Sequence, residues 1–134
     1  MADKDRDVSA SPIMYKQHGQ TGEEGRNSAP MLVYSTFPSA EDAKRIGRAL
    51  VESGLAACVN IFPQMTSLYV WDGKLQEDAE SAMIIKTTRG RSAEVLTEIK
   101  RLHPYSIPPR LALAVAGGGE DFLNWIETQC TASR

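Results

Sequence analysis

Ser67-Leu68-Tyr69-Val70-Trp71-Asp72-Gly73-Lys74-Leu75 is the stretch that decides the fold. Asp72-Gly73 lies between apolar arms and is a two-residue hairpin signal, because a type I′ turn needs positive φ at both central positions. Counting outward from the turn pairs Trp71 with Lys74. The upstream arm reaches back through Thr66 and, past Pro63, to Cys58-Val59-Asn60-Ile61-Phe62. Proline has no N–H to give to a ladder, so Pro63 predicts a bend or bulge on an edge strand. The downstream arm runs from Lys74-Leu75 to Met83-Ile84-Ile85-Lys86-Thr87-Thr88. Both arms are long, and the hairpin is expected to project beyond the body of a small domain.

The flanking segments complete the pattern. Met31-Leu32-Val33-Tyr34-Ser35-Thr36 is a β-rich apolar run that stops before Pro38. Ser39 is placed as an N-cap, with Glu41 and Asp42 in a first turn whose dipole favours anions. Ala43, Ile46, Gly47, Leu50 and Val51 then recur at helical spacing, and Gly54 supplies the stop. A second helix starts at Ser92, carries Val95, Leu96, Ile99 and Leu102 on one face, and closes at His103-Pro104. After a loop with Pro108 and Pro109, Leu111-Ala112-Leu113-Ala114-Val115-Ala116 is apolar almost throughout, which predicts a central strand. Gly117-Gly118-Gly119 breaks the chain before a terminal helix from Glu120 to Thr128.

The order β-α-β-β-α-β plus one helix is that of the split-βαβ, ferredoxin-like α+β sandwich. Both helices of such a unit cover one face of an antiparallel sheet. The first strand offers no polar face: Met31, Val33 and Ser35 alternate with Leu32, Tyr34 and Thr36. Exposed apolar area of that extent marks an interface, so a homo-oligomer is expected.

Composition narrows the function classes. The 134 residues include 15 Lys and Arg against 17 Asp and Glu, a net charge of −2, without the basic excess of a nucleic-acid binder. With 42% hydrophobic residues one domain can bury a core. No run approaches the ~20 apolar residues of a membrane span, and the first thirty residues hold no secretory apolar core. No membrane and no nucleic-acid partner are therefore expected. Residues 1–30 are polar and aperiodic and are expected to be a disordered tail preceding a domain over 31–134. Cys58, Cys130, His18 and His103 are too few for a disulfide framework or a paired-cysteine metal motif. The thiols are expected reduced and the protein cytoplasmic.

The residues able to carry chemistry are few. Gly117-Gly118-Gly119 lacks the spacing and the lysine of a phosphate loop and reads as a hinge. Trp71, Glu77, Glu80, Lys86, His103 and Tyr105 form the informative set. Glu80 interrupts an apolar strand, Lys86 ends one, and His103 closes a helix. Each also has a structural reading, as a salt-bridged edge residue, a snorkelling lysine and a dipole-favoured histidine. Together Trp71, Glu80, Lys86, His103 and Tyr105 are expected to line a polar and aromatic ligand cleft between subunits.

The chain resembles the CutA family of divalent-ion tolerance proteins. Leu55-Ala56-Ala57-Cys58-Val59-Asn60, Ser67 through Lys74, Glu80, Ile84-Ile85-Lys86-Thr87, His103-Pro104-Tyr105 with Pro108, and Asp121-Phe122-Leu123-Asn124-Trp125-Ile126 carry the resemblance in a single register from 31 to about 129. It implies a compact homotrimer, similar in architecture to PII signalling proteins, a role in tolerance to divalent cations with copper binding, and no enzymatic activity. Some members carry cysteine where this chain has Ser35, the family commonly has glutamate where Pro109 stands, and its usual proline in the last core strand is Ala114 here. Soft thiolate and imidazole donors suit copper, so His103 remains as the metal donor, and one imidazole per chain predicts weak affinity. The alternative expectation is a PII-like signalling module that takes a small anion at Lys86 and controls a partner protein.

Overall fold

A computed structural model describes residues 23–131. The elements are α1 (Glu23–Ser28), β1 (Pro30–Phe37), α2 (Ala40–Glu52), β2 (Cys58–Trp71), β3 (Lys74–Thr88), α3 (Arg89–Leu102), β4 (Arg110–Ala114) and α4 (Glu120–Thr131). The sheet is antiparallel with order β2-β3-β1-β4, the ferredoxin-like arrangement.

The hairpin forms as its sequence dictates. Asp72 and Gly73 have φ of 54° and 72°, and Trp71 pairs with Lys74. The register of β2 against β3 shifts between Phe62 and Met65, where Pro63 breaks the ladder. The Ser81 hydroxyl donates to the freed Pro63 carbonyl at 2.8 Å. In α2, Ser39 accepts from the Asp42 amide at 3.1 Å and Gly54 takes φ 78° just past the end, as expected of cap and stop.

The core sits between one sheet face and the pair α2 and α3. Val33, Phe37, Ile46, Leu50, Met83, Ile85, Val95 and Ile99 are fully buried there. Fully burying side chains of this size stabilises the fold by about 1.5–3 kcal/mol each. A smaller cluster of Ala57, Leu123, Ile126 and Cys130 seats α4.

The opposite face is only partly covered. Pairing places Leu32, Tyr34, Ile84, Phe62, Leu111 and Leu113 together on it. Phe62, Leu111 and Leu113 are exposed, and so are Leu68, Val70, Trp71 and Leu75 on the projecting hairpin. The expectation of a sheet without a polar face holds in part: an exposed apolar patch forms, but Asn60, Glu80 and Lys86 share its face.

One placement and several boundaries differ from expectation. β4 is an edge strand paired only to β1, not a central one, and it ends at Ala114. Its apolar run misleads because its outward side chains are bare in a single chain. The second helix begins at Arg89, three positions before Ser92. Within the segment expected to be a tail, Glu23–Ser28 is helical and β1 starts at Pro30. The Arg89 amide donates to the Ala29 carbonyl at 2.8 Å and Gly90 lies against Asn27, which ties this segment to α3. Residues 1–22 of that expected tail lie outside the described residues. No helix among the described residues is long and apolar enough to cross a membrane.

Candidate ligand cleft at the Glu80–Tyr105 pair

β1 grips the loop between α3 and β4 with three consecutive residues. At one end, the Ser35 hydroxyl donates to the Pro109 carbonyl at 2.7 Å, and Ser35 is fully buried. At the other, the His103 ring stacks on Phe37 at 4.8 Å between centroids, and its Nε2 lies 2.7 Å from the Thr36 carbonyl. The amide of Tyr105 donates to Nδ1 of His103 at 3.1 Å. A nitrogen that accepts carries no proton, so the ring is the neutral Nε2–H form and donates to Thr36.

The gripped loop delivers Tyr105 to β3. Its hydroxyl donates to Glu80 Oε2 at 2.7 Å. Burial first, then the bond to Glu80, hold the Tyr105 phenol well above its usual range. A similar pair lies further along the hairpin, where the Tyr69 hydroxyl donates to Asp78. That bond, above all, raises the exposed Tyr69 phenol. Tyr34 donates to the Met65 sulfur at 3.8 Å on the same sheet face. Beside Glu80 opens a groove of ≈ 400 Å³ lined by Pro38, Ser39, Pro63, Met65 and Ser81.

The five residues expected to share a cleft fall into three places within one chain. Glu80, Tyr105 and His103 are connected through the contacts above. Trp71 is six residues along β2 from Met65, the partner of Glu80, which puts it roughly 20 Å away at ~3.3 Å per residue. Lys86 lies about as far in the other direction, with its ammonium 5.3 Å from the centre of the Phe122 ring. Glu77, the sixth residue of the set, is exposed opposite Leu68. Sequence reasoning missed the grip by Ser35, Thr36 and Phe37 and the Tyr69–Asp78 pair. The bonding carbonyl of Thr36 is backbone and 67 positions from His103, so no motif signals it.

The donor set does not fit a metal ion at His103. Both ring nitrogens are engaged, the Glu80 carboxylate is shared with Tyr105, and Ser35 supplies no thiolate. Among the described residues no three or more His, Cys, Asp or Glu side chains converge on one point. The two cysteines stand elsewhere, Cys58 opposite Lys86 and Cys130 on the buried side of α4.

Comparison with known proteins supports the resemblance read from the sequence. Residues 31–129 match the family profile described as CutA1 divalent ion tolerance protein. The divalent-cation tolerance protein CutA of Thermus thermophilus is 44% identical over 95 residues, which cover 71% of this chain and 92% of that one. Its namesake from Archaeoglobus fulgidus is 45% identical over 96 residues, covering 72% and 93%. The crystal structure of divalent ion tolerance protein CutA1 from Ehrlichia chaffeensis superposes with a TM-score of 0.75 at 34% identity, over 78% of this chain and 97% of that one. With the profile matched over residues 31–129, 44% identity to a relative and a TM-score of 0.75 to a solved structure, this chain belongs to the CutA1 divalent ion tolerance family.

Proposed function

We propose that the chain acts without catalysis, as a homotrimer in copper tolerance, with ligand clefts formed between copies. Its family supports the divalent-cation role. The observation that carries the assembly is the apolar sheet face and hairpin left bare by the chain's own helices. The free edges of the sheet are unlike strands, β2 and β4. Pairing unlike edges is head-to-tail, and a rotation of one third of a turn per copy closes it into a ring of three. Trp71 and Lys86 stand far from Glu80 in one chain, so a cleft that contains all of them draws on more than one copy.

The non-enzymatic reading rests on the state of the titratable groups. The His103 nitrogens are both bonded and the Tyr105 phenol donates to a carboxylate, so neither is poised as a general base. The PII-like alternative has less support, since an anion at Lys86 competes with the Phe122 ring for the ammonium. Cys58 and Cys130 form no disulfide among the described residues, which supports a cytoplasmic location.

Sedimentation velocity at micromolar concentration, followed by calorimetric titration with Cu²⁺ and with a nucleotide panel, tests the reading. A species of three chains that gives heat with Cu²⁺ and none with nucleotides is expected. A monomer, or heat from a nucleotide that a Lys86→Ala substitution removes, overturns it.

A further inference from the structure

We propose that His103 is the positioning residue of a latch that sets the Tyr105 hydroxyl on Glu80, and that its imidazole takes no metal ion. The proposal concerns the cleft of the preceding reading but does not depend on copper being its ligand.

Three contacts fix the ring. Phe37 stacks on it, the Thr36 carbonyl takes the Nε2 proton, and the Tyr105 amide uses the Nδ1 lone pair. The residue is buried, at 8% exposure. A metal ion needs an imidazole lone pair, and the neutral ring has only one, at Nδ1. Taking it leaves the part-buried Tyr105 amide without its acceptor, and turning the ring over breaks the bond to Thr36 and the stack on Phe37. No thiolate or free carboxylate among the contacts described stands by to offset that loss.

The same bonds explain what the ring does instead. His103 and Tyr105 are two positions apart, and the Nδ1 contact closes the backbone between them into a tight turn. That turn tilts the Tyr105 ring against the imidazole, with centroids 4.8 Å apart, and aims its hydroxyl at Glu80 on β3. The Ser35–Pro109 bond secures the far end of the loop. The latch therefore joins the end of α3 to the hairpin through one histidine, and Glu80 presents only its other oxygen to the groove without a bond to Tyr105.

Long-range ¹H–¹⁵N spectra of the full chain labelled at histidine test the metal half. A wild-type His103 signal of the Nε2–H form is expected, unchanged by Zn²⁺ or by Cu⁺ under argon. A shift of either ring nitrogen on adding either ion, or a ring protonated on Nδ1, overturns it. The positioning half is read from the ¹³Cζ signal of Tyr105 through alkaline pH. In His103→Ala the phenol is expected to ionise at lower pH than in wild type, because its bond to Glu80 is no longer held. His103→Asn, which keeps an acceptor at the Nδ1 place, is expected to restore it. An unchanged titration in His103→Ala, or no recovery in His103→Asn, overturns the positioning role. The wild-type spectra decide the metal half even if His103→Ala does not fold.

Discussion

Gly47 and Gly73 are constrained for opposite reasons. A Cβ on Gly47 falls 2.9 Å from Val59 Cγ2 and 3.0 Å from Met83 Sδ, inside the contact between α2 and the sheet. Gly47→Ala is therefore expected to destabilise by ~1–3 kcal/mol through overpacking, although alanine favours helix. Gly73 has open space around it but φ of 72°. Gly73→Ala is expected to lose about 1 kcal/mol from backbone conformation alone. Urea unfolding at one fixed protein concentration compares both with wild type. Tyr105 adds a pH dependence. Its phenol ionises from pH 10.0 upward in the unfolded chain and holds its proton to higher pH when folded. Its contribution is thus complete below pH 10.0 and lost as pH rises beyond it. Tyr105→Phe is expected to flatten the loss of stability above pH 10, measured by thermal unfolding across pH 8–11.

Elements were legible wherever a local rule names its own partner. Asp72-Gly73 pairs Trp71 with Lys74 by turn geometry, and Ser39 meets the Asp42 amide three positions on. Ser39→Ala is expected to cost ~1 kcal/mol of stability, read from the same denaturation series. Pro63 announced its break in the ladder for the same reason, since a missing N–H is a property of one residue. β4 was misplaced because an apolar run reports that its side chains avoid water, not which neighbours provide the shelter. The three earliest residues of α3 escaped notice because Arg89, Gly90 and Arg91 carry none of the apolar spacing that revealed the rest. The latch was half legible: His103-Pro104-Tyr105 and Glu80 stood out as residues, but the β1 groups that hold them act through backbone and a buried hydroxyl.

At the scale of the molecule, the two sheet faces divide the work. One carries Val33, Met83 and Ile85 under the helices, and the other carries Leu111 and Leu113 in the open. Substitutions on the second face separate assembly from folding. The pair Leu111→Glu and Leu113→Glu is expected to move the sedimenting species toward a single chain while circular dichroism keeps its wild-type shape. Retention of the full assembly by that variant would show that this face is not what joins the copies. The short α1 has a practical bearing on such experiments. It rests at the start of α3, on the helical layer and not on the bare sheet face. A fluorophore attached at Arg26, an exposed position of α1, therefore sits beside the helix-clad side, where it can report on joining copies without standing in their way.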